Sequence, residues 1–271
     1  MDWRIERLID QTIDGFRAPG APRYDIGDMN AFVSPLEERA SNAWPAARAI
    51  LVGGWAFRFA NGFSKRANSA NALFPNTDFA EVRQAAECFY TRHRLPVIFR
   101  LTPLAPPEAD SALEQAGYAR IEPCRVMVAD IGAVARGSLS LDDAPSPQWL
   151  DGFARASGES LEARRDHAAL LERIFAPRVF ATAHRQGAPV GFGMAVRERG
   201  QIGLFDLMVA PEHRGSGIGR KIMQALLHWG REAGARQAYL QVHQSNAVAL
   251  NLYESFGFRA GYDYHYRFKP I

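Results

Sequence analysis

An apolar run with strand character, Ile202 to Val209, ends at Ala210-Pro211 and leads into Arg214-Gly215-Ser216-Gly217-Ile218-Gly219. From Arg220 to Gly230 the apolar residues then fall at helical spacing. A strand that turns through three glycines into a helix confines this stretch to a strand–turn–helix unit. The glycines strip side chains from one spot, so that successive backbone N–H groups can face a common centre. The helix N-terminus adds its partial positive charge. Together they make a site for phosphate, most naturally a pyrophosphate, and Arg214, Arg220 and Lys221 reinforce the sign. The turn lacks the Gly-Lys-Ser/Thr ending of a nucleotide-triphosphate loop. Its spacing is not Gly-x-Gly-x-x-Gly, and no acidic residue closes a second strand about 20 residues on, as a dinucleotide fold requires. The ligand implied is a phosphorylated carrier of another kind.

A second apolar run follows the helix, Ala238-Tyr239-Leu240-Gln241-Val242. Ser245-Asn246-Ala247 then opens a short helix carrying Leu250, Tyr253 and Phe256, closed by Gly257-Phe258. The whole series resembles the acetyl-CoA-binding half of the GNAT superfamily of N-acetyltransferases. The matching pieces are Asp206-Leu207-Met208-Val209-Ala210-Pro211-Glu212, the glycine turn, Ser245-Asn246, and Leu252-Tyr253-Glu254-Ser255-Phe256-Gly257-Phe258. The similarity is strongest to ribosomal-protein alanine acetyltransferases and covers residues 178–268.

The resemblance implies acetyl-CoA as co-substrate, with no metal. Its diphosphate would rest on Arg214, Gly215, Ser216, Gly217, Ile218, Gly219 and Arg220. In this superfamily the fourth strand splays from the fifth and the pantetheine arm fills the gap, so the backbone of Leu207, Met208 and Val209 would pair with the arm. An N–H there would face the thioester oxygen, and a preplaced donor of that kind is worth roughly 3 kcal/mol. Tyr253 matches the phenol that protonates the departing thiolate, although its spacing with Leu250 and Phe256 also suits a packing residue. Asn246 can cap its helix and also contact the coenzyme arm.

The similarity breaks at the base. Alanine acetyltransferases carry a glutamate where this chain has Gln241, and an amide accepts no proton from the attacking amine. The nearest titratable residues in sequence are Asp206 and His243. Asp206 reads either as a base acting through water or as a structural acceptor beside a strand bulge; His243, at a strand end, reads as surface or packing. Without a strong base, an α-amine of pKa about 7.7–8.0 is an easier acceptor than a lysine-type amine near 10.4, because far more of it is neutral near pH 7.4. The expected function is acetyl transfer by direct attack of a primary amine on the thioester, the amine belonging to a small molecule, an amino acid or a peptide N-terminus. The competing reading is a module that binds and senses acetyl-CoA without turnover.

The 271 residues are 47% hydrophobic and 23% charged, the balance of a soluble globular protein. Net charge +3 and pI near 9.0 suit a polyanionic coenzyme but are too weak to indicate nucleic acid. Cys88 and Cys124 provide neither a disulfide framework nor a metal site. The N-terminus has no signal-peptide core and no apolar run is long enough to cross a membrane, so the expectation is a cytoplasmic monomer or homodimer.

The fold class expected is α/β (α+β): two tandem GNAT-like domains, each a mixed, mostly antiparallel twisted sheet flanked by helices. The first half repeats the order of the second (hairpin, helix, strand, short helix ending in Gly-aromatic, strand), with Glu114-Gln115-Ala116-Gly117-Tyr118 lying over Glu254-Ser255-Phe256-Gly257-Phe258. The divisions are a degenerate first domain, residues 1–131, a Gly/Ser/Asp/Pro-rich linker, 132–147, and a catalytic domain, 148–271. In the first copy Leu113 stands where the second has Tyr253. Pro75 to Glu81 replaces the glycine turn, with Asp78 and Glu81 forming a capping box. Asn61-Gly62 signals a hairpin turn between strands at Ile50–Arg58 and Phe63–Ala67. The acceptor should bind at the joint of the two halves, walled by Arg58, Lys65, Arg66, Asn68, Tyr262, Tyr264 and Tyr266.

Overall fold

The computed structural model describes residues 29–74 and 79–271. The expected capping box at Asp78 lies outside them, as do residues 1–16, where Ile5, Leu8, Ile9 and Ile13 at helical spacing predict a helix. The first half runs α1 (Met29–Ala43), β1 (Arg48–Val52), β2 (Trp55–Phe59), β3 (Ala70–Ala72), α2 (Ala80–Arg92), β4 (Val97–Leu101), α3 (Glu108–Gln115) and β5 (Ala119–Asp130). A connecting segment carries the short strand β6 (Leu141–Asp142). The second half runs α4 (Pro147–Ser157), α5 (Leu161–Glu172), β7 (Arg178–Arg185), β8 (Ala188–Glu198), β9 (Gln201–Val209), α6 (Ile218–Glu232), β10 (Gln237–His243), α7 (Ala247–Glu254) and β11 (Arg259–Lys269).

The two halves repeat one another down to single hydrogen bonds. Gly117 and Gly257 end α3 and α7 with φ of 81° and 82°. After each, the next aromatic N–H reaches back, Tyr118 to Leu113 O at 3.0 Å and Phe258 to Tyr253 O at 3.2 Å. This is the left-handed glycine cap that closes a helix by satisfying its last carbonyls. It makes Leu113 and Tyr253 equivalent positions.

The hairpin signal fell one turn too late. β1 and β2 are joined at Gly53-Gly54, both left-handed (φ 51° and 77°), with Val52 paired to Trp55; two such residues are what a tight hairpin requires. Asn61 and Gly62 also have positive φ, but the chain there passes into a 3₁₀ turn, Lys65–Ala67, before β3 pairs with β2. The loop is fixed by the buried Asn68. Its Oδ1 accepts from Ala60 N (2.7 Å) and Gly62 N (3.0 Å), and its Nδ2 donates to Phe63 O (2.6 Å) and Ser64 O (3.0 Å).

The strands of the described residues form one 11-stranded sheet of order β1-β2-β3-β4-β11-β5-β10-β9-β8-β7-β6. In its middle the halves interleave. β5, from the first half, lies between β10 and β11, and β11, from the second, lies between β4 and β5. α6 packs on β8 at Gly191 and Gly193, where an added Cβ would come within 2.5 Å of Ile218 Cγ2 and 2.6 Å of Ile222 Cγ2. Ile222, Met223, Leu226 and Leu227 of α6 are buried there with Leu204 and Leu240. Each such side chain contributes about 1.5–3 kcal/mol of apolar burial, an upper estimate against a compact unfolded state. On the opposite face Trp44 and Phe57 of the first half share a core with Trp149, Phe180, Phe192, Phe205 and Tyr239 of the second.

Candidate active site

The glycine turn is built as its sequence requires. After β9 a single 3₁₀ turn, Pro211–His213, leads to Gly215 (φ 72°) and Gly217 (φ 79°), and Gly217 is the N-cap of α6. No side chain caps this helix, and its first backbone bond is Lys221 N to Gly217 O at 3.2 Å. The N–H groups from Gly215 to Arg220 therefore have no hydrogen-bond partner among the described residues. A Cβ on Gly215 or Gly217 would touch nothing within 4 Å, so the space in front of these donors is open. Unspent donors at the positive end of a helix make an anion site. The neighbouring arginines are tied to its walls: Arg214 Nε donates to Val209 O at 3.2 Å, and Arg220 donates to Ser255 Oγ at 2.8 Å beneath the Phe256 ring.

Upstream of the turn, β9 carries a bulge. Phe205 pairs with Met194 and Met208 with Phe192, which leaves Asp206 and Leu207 opposite the single residue Gly193. Asp206 takes φ 54°, a left-handed conformation that aspartate tolerates better than most residues. Strict alternation would push its carboxylate toward α6 and the apolar cluster holding Leu204. The extra residue instead places Phe205 and Asp206 consecutively on the other face. There Asp206 Oδ2 lies 2.9 Å from His167 Nε2 of α5, and Leu207 returns to the α6 side. His167 is 2% exposed, enclosed by the rings of Phe63, Phe153 and Trp44, with Glu159 Oε2 3.6 Å from its Nδ1. Burial opposes its charge, but Asp206 and then Glu159 outweigh it and lift the imidazole pKa to about 9. The sequence does hold a signal for this pair: a histidine at helical spacing from the apolar Leu170 and Leu171 of α5 and an aspartate in an otherwise apolar strand each lack a local partner.

The parallel ladder between β9 and β10 runs from Gln201/Gln237 to Leu204/Leu240 and stops. Both strands continue, β9 to Val209 and β10 to His243, so a gap opens between them just where the bulge begins. Asn246 caps α7, accepting from Ala249 N at 3.1 Å. Tyr253 is buried in the core beneath α7, its ring 6.2 Å from that of Phe258. Its hydroxyl has no hydrogen-bond partner among the described residues, and burial pushes the phenol up to about 12. Gln241 Oε1 accepts from Tyr264 OH at 2.9 Å, and His243 Nδ1 lies 2.7 Å from Ser245 Oγ.

A cavity of about 320 Å³ adjoins this region, lined by Lys65, Arg66, Glu122, Gln241, Tyr264 and Tyr266 among others. It gathers residues from both halves. Three expected walls are absent from it. Arg58 is buried, donating to the backbone carbonyls of Arg66, Trp44 and Ser41. Asn68 holds its own loop. Tyr262 donates to Glu37, the buried partner of Arg100. Among the described residues no group of His, Cys, Asp and Glu could hold a metal ion, and no helix is long and apolar enough to cross a membrane.

The family described as probable histone acetyltransferase Rv0428c C-terminal matches residues 31–268. Over 246 residues the chain is 30% identical to the uncharacterized N-acetyltransferase YobR of Bacillus subtilis strain 168, covering 88% of this chain and 98% of YobR. The chain belongs to the GNAT superfamily of N-acetyltransferases. This N-acetyltransferase shares its fold with the GCN5-related N-acetyltransferase from Kribbella flavida, at TM-score 0.65 and 15% identity over 88% of this chain and 95% of that one. It shares it also with a tandem GNAT protein from the clavulanic acid biosynthesis pathway, at TM-score 0.60 and 14% identity over 99% and 96%. The N-acetyltransferase family match thus takes in the first half from residue 31, well beyond the 178–268 stretch that carries the sequence motifs.

Proposed function

We propose that this N-acetyltransferase binds acetyl-CoA along the gap between β9 and β10 and transfers the acetyl group to a primary amine that attacks the thioester directly. One observation carries the reading. The strand whose ladder is interrupted after Leu204 leads, within a few residues, to the uncapped helix start with its unspent N–H groups. A diphosphate fits the donors from Gly215 to Arg220, and the free edge of Leu207, Met208 and Val209 is placed to pair with an extended arm. Asn246 and Tyr253 close the other side from α7.

Tyr253 is the proposed acid. A phenol near 12 is a weaker acid than a coenzyme thiol near 8.5 by roughly 3.5 units, an uphill transfer of about 5 kcal/mol. The donation works only because the departing thiolate is desolvated in the same apolar cleft, which raises its basicity too. Asp206 spends an oxygen on His167, so its part is to hold the bulge that aims the Leu207 and Met208 backbone. Proton removal from the amine is left to water, since Gln241 cannot accept it. Leu113 occupies the tyrosine position of the first half, so one active site per chain is proposed: the second half supplies the chemistry and the first half supplies part of the acceptor wall. The acceptor is a small molecule, an amino acid or a peptide N-terminus, reached in the cytoplasm.

A second reading, a sensor that binds acetyl-CoA without turnover, has one observation in its favour, the amide at Gln241. Incubating the protein with acetyl-CoA and a library of amines, with free thiol as readout, separates the two. Acceptor-dependent thiol release that drops in Tyr253→Phe supports the enzyme. Tight coenzyme binding with no release above hydrolysis supports the sensor.

A further inference from the structure

We propose that the acceptor carries a carboxylate as well as its amine, and that Arg66 is the residue that binds it; the inference rests on the amine-transfer reading above. The cavity at the joint of the halves is lined by two cations, Lys65 and Arg66, one anion, Glu122, and the imidazole of His243. Lys65 is already neutralised, its Nζ 2.7 Å from Glu122 Oε1. Glu122 reaches it from a bulge in β5, where Cys124 pairs with Tyr264 and Ile121 with Tyr266, and it does so with φ 48°. A non-glycine residue held there marks a side chain whose direction is imposed by its surroundings. Arg66 is different. Its guanidinium lies over the Trp44 ring, 4.5 Å from the centroid, and 5.8 Å from that of Phe205, and among the described residues no carboxylate pairs with it.

The Arg66 backbone and the ring beneath its guanidinium are also held in place. Arg58 Nη1 donates to the Arg66 carbonyl at 2.9 Å, and Trp44 is fixed by its Nε1 donating to Ser64 Oγ at 3.0 Å. A planar cation lying over aromatic faces keeps its in-plane N–H donors free for a bidentate oxyanion. Phe205, the second ring, is the residue immediately before the bulge, at the point where the β9–β10 gap opens. An anion on Arg66 is therefore anchored beside the proposed thioester site. The cavity volume of about 320 Å³ lies at the low end for ligand sites, roughly 300–1,000 Å³, which suits an amino acid or short peptide.

The test compares glycyl-leucine with glycyl-leucinamide, whose amines titrate close together because the changed group is remote from them. A charge-assisted hydrogen bond of this kind corresponds to a factor of roughly 10–100. The wild type should prefer the free acid by that factor in kcat/KM, mainly through KM. Arg66→Gln should erase the preference, Arg66→Lys should restore part of it, and the KM for acetyl-CoA should stay unchanged in both. If the wild type acetylates acid and amide equally, or Arg66→Gln keeps the preference, the carboxylate site is wrong while amine transfer stands. If neither dipeptide is acetylated, calorimetry with coenzyme A present decides. Tighter binding of the acid, lost in Arg66→Gln, keeps the site and rules out only these dipeptides as acceptors; no difference between the two ligands overturns the site.

Discussion

The buried His167–Asp206 pair gives the protein a pH-dependent stability whose sign and size follow from its surroundings. The imidazole pKa rises from 6.5 to about 9 in the folded chain. Because the folded value is raised, the stabilisation is complete below pH 6.5, where both states are protonated. It is lost as pH climbs through about 9, where the native histidine gives up its proton. A shift of about 2.5 units corresponds to about 3 kcal/mol, and with His167 2% and Asp206 7% exposed at the side chain there is little solvent screening to discount. The reference is the double variant His167→Phe/Asp206→Asn, which keeps an aromatic ring in the cage and removes both charges. Removing His167 alone should be harsher, costing about 3–5 kcal/mol at neutral pH by leaving a carboxylate buried without its partner. Urea denaturation of wild type and double variant from pH 6 to 10 yields a difference curve in which other titrations cancel. The wild type should lose about 3 kcal/mol relative to the double variant across that window. A flat difference curve would mean that His167 is neutral in the native state and that the bulge is held by something else.

Gly217→Asp should weaken acetyl-CoA binding at least 100-fold while moving the melting temperature by only a few degrees, because its carboxylate enters the anion site and its backbone strain is about 1–2 kcal/mol; normal binding by calorimetry would clear the turn of that role. Tyr253→Phe should lower kcat by roughly 100-fold with coenzyme affinity spared, and an equal loss of binding would point to packing alone. Acceptors of lower amine pKa should reach their kcat/KM plateau at lower pH, since no enzyme base takes the proton. An acid limb fixed across acceptors, abolished in a folded Asp206→Asn, would restore Asp206 as the base. Gly193→Val should destabilise by about 1–3 kcal/mol, because its Cβ would begin 2.6 Å from Ile222 Cγ2; an unchanged denaturation midpoint contradicts the tight α6–β8 contact.

What the sequence discloses and what it hides divide by range. The turn at Gly215 and Gly217 was legible because the requirement is local: left-handed backbone and an open helix start are written in the residues that adopt them. The caps at Gly117 and Gly257 were legible for the same reason, and they exposed the repeat. His167 was passed over, because its meaning depends on Asp206, 39 positions away; a lone histidine on an apolar face signals that it needs a partner without saying which residue supplies it. Arg58 was misplaced by the ordinary expectation that a charged strand residue points to water; it is buried because backbone carbonyls of α1, the segment after it and the 3₁₀ turn converge on its guanidinium. The hairpin failed between two adequate turn signals, Gly53-Gly54 and Asn61-Gly62, and pairing register, which is not local, chose the first. Of the residues lining the cavity at the joint, Lys65, Arg66, Tyr264 and Tyr266 were expected together from the sequence and Glu122 was not, since only the β5 bulge brings it there.

The interleaving of β5 and β11 has a consequence for the growing chain. When the ribosome has released Asp130, neither flanking strand of β5 exists yet, since β10 and β11 are still to be made. At about 5–20 residues per second, the wait from Asp130 to Arg259 lasts on the order of ten seconds. Until β10 is made, Val126 and Val128 sit in a strand with two bare edges, and until β11 is made one edge stays bare, a template for pairing with other nascent chains. The early half thus cannot be finished and set aside while the later half is translated; its sheet closes only when β11 slides between β4 and β5. Nascent-chain stalling at successive lengths should therefore find protease protection of the first half arriving late, together with that of the second.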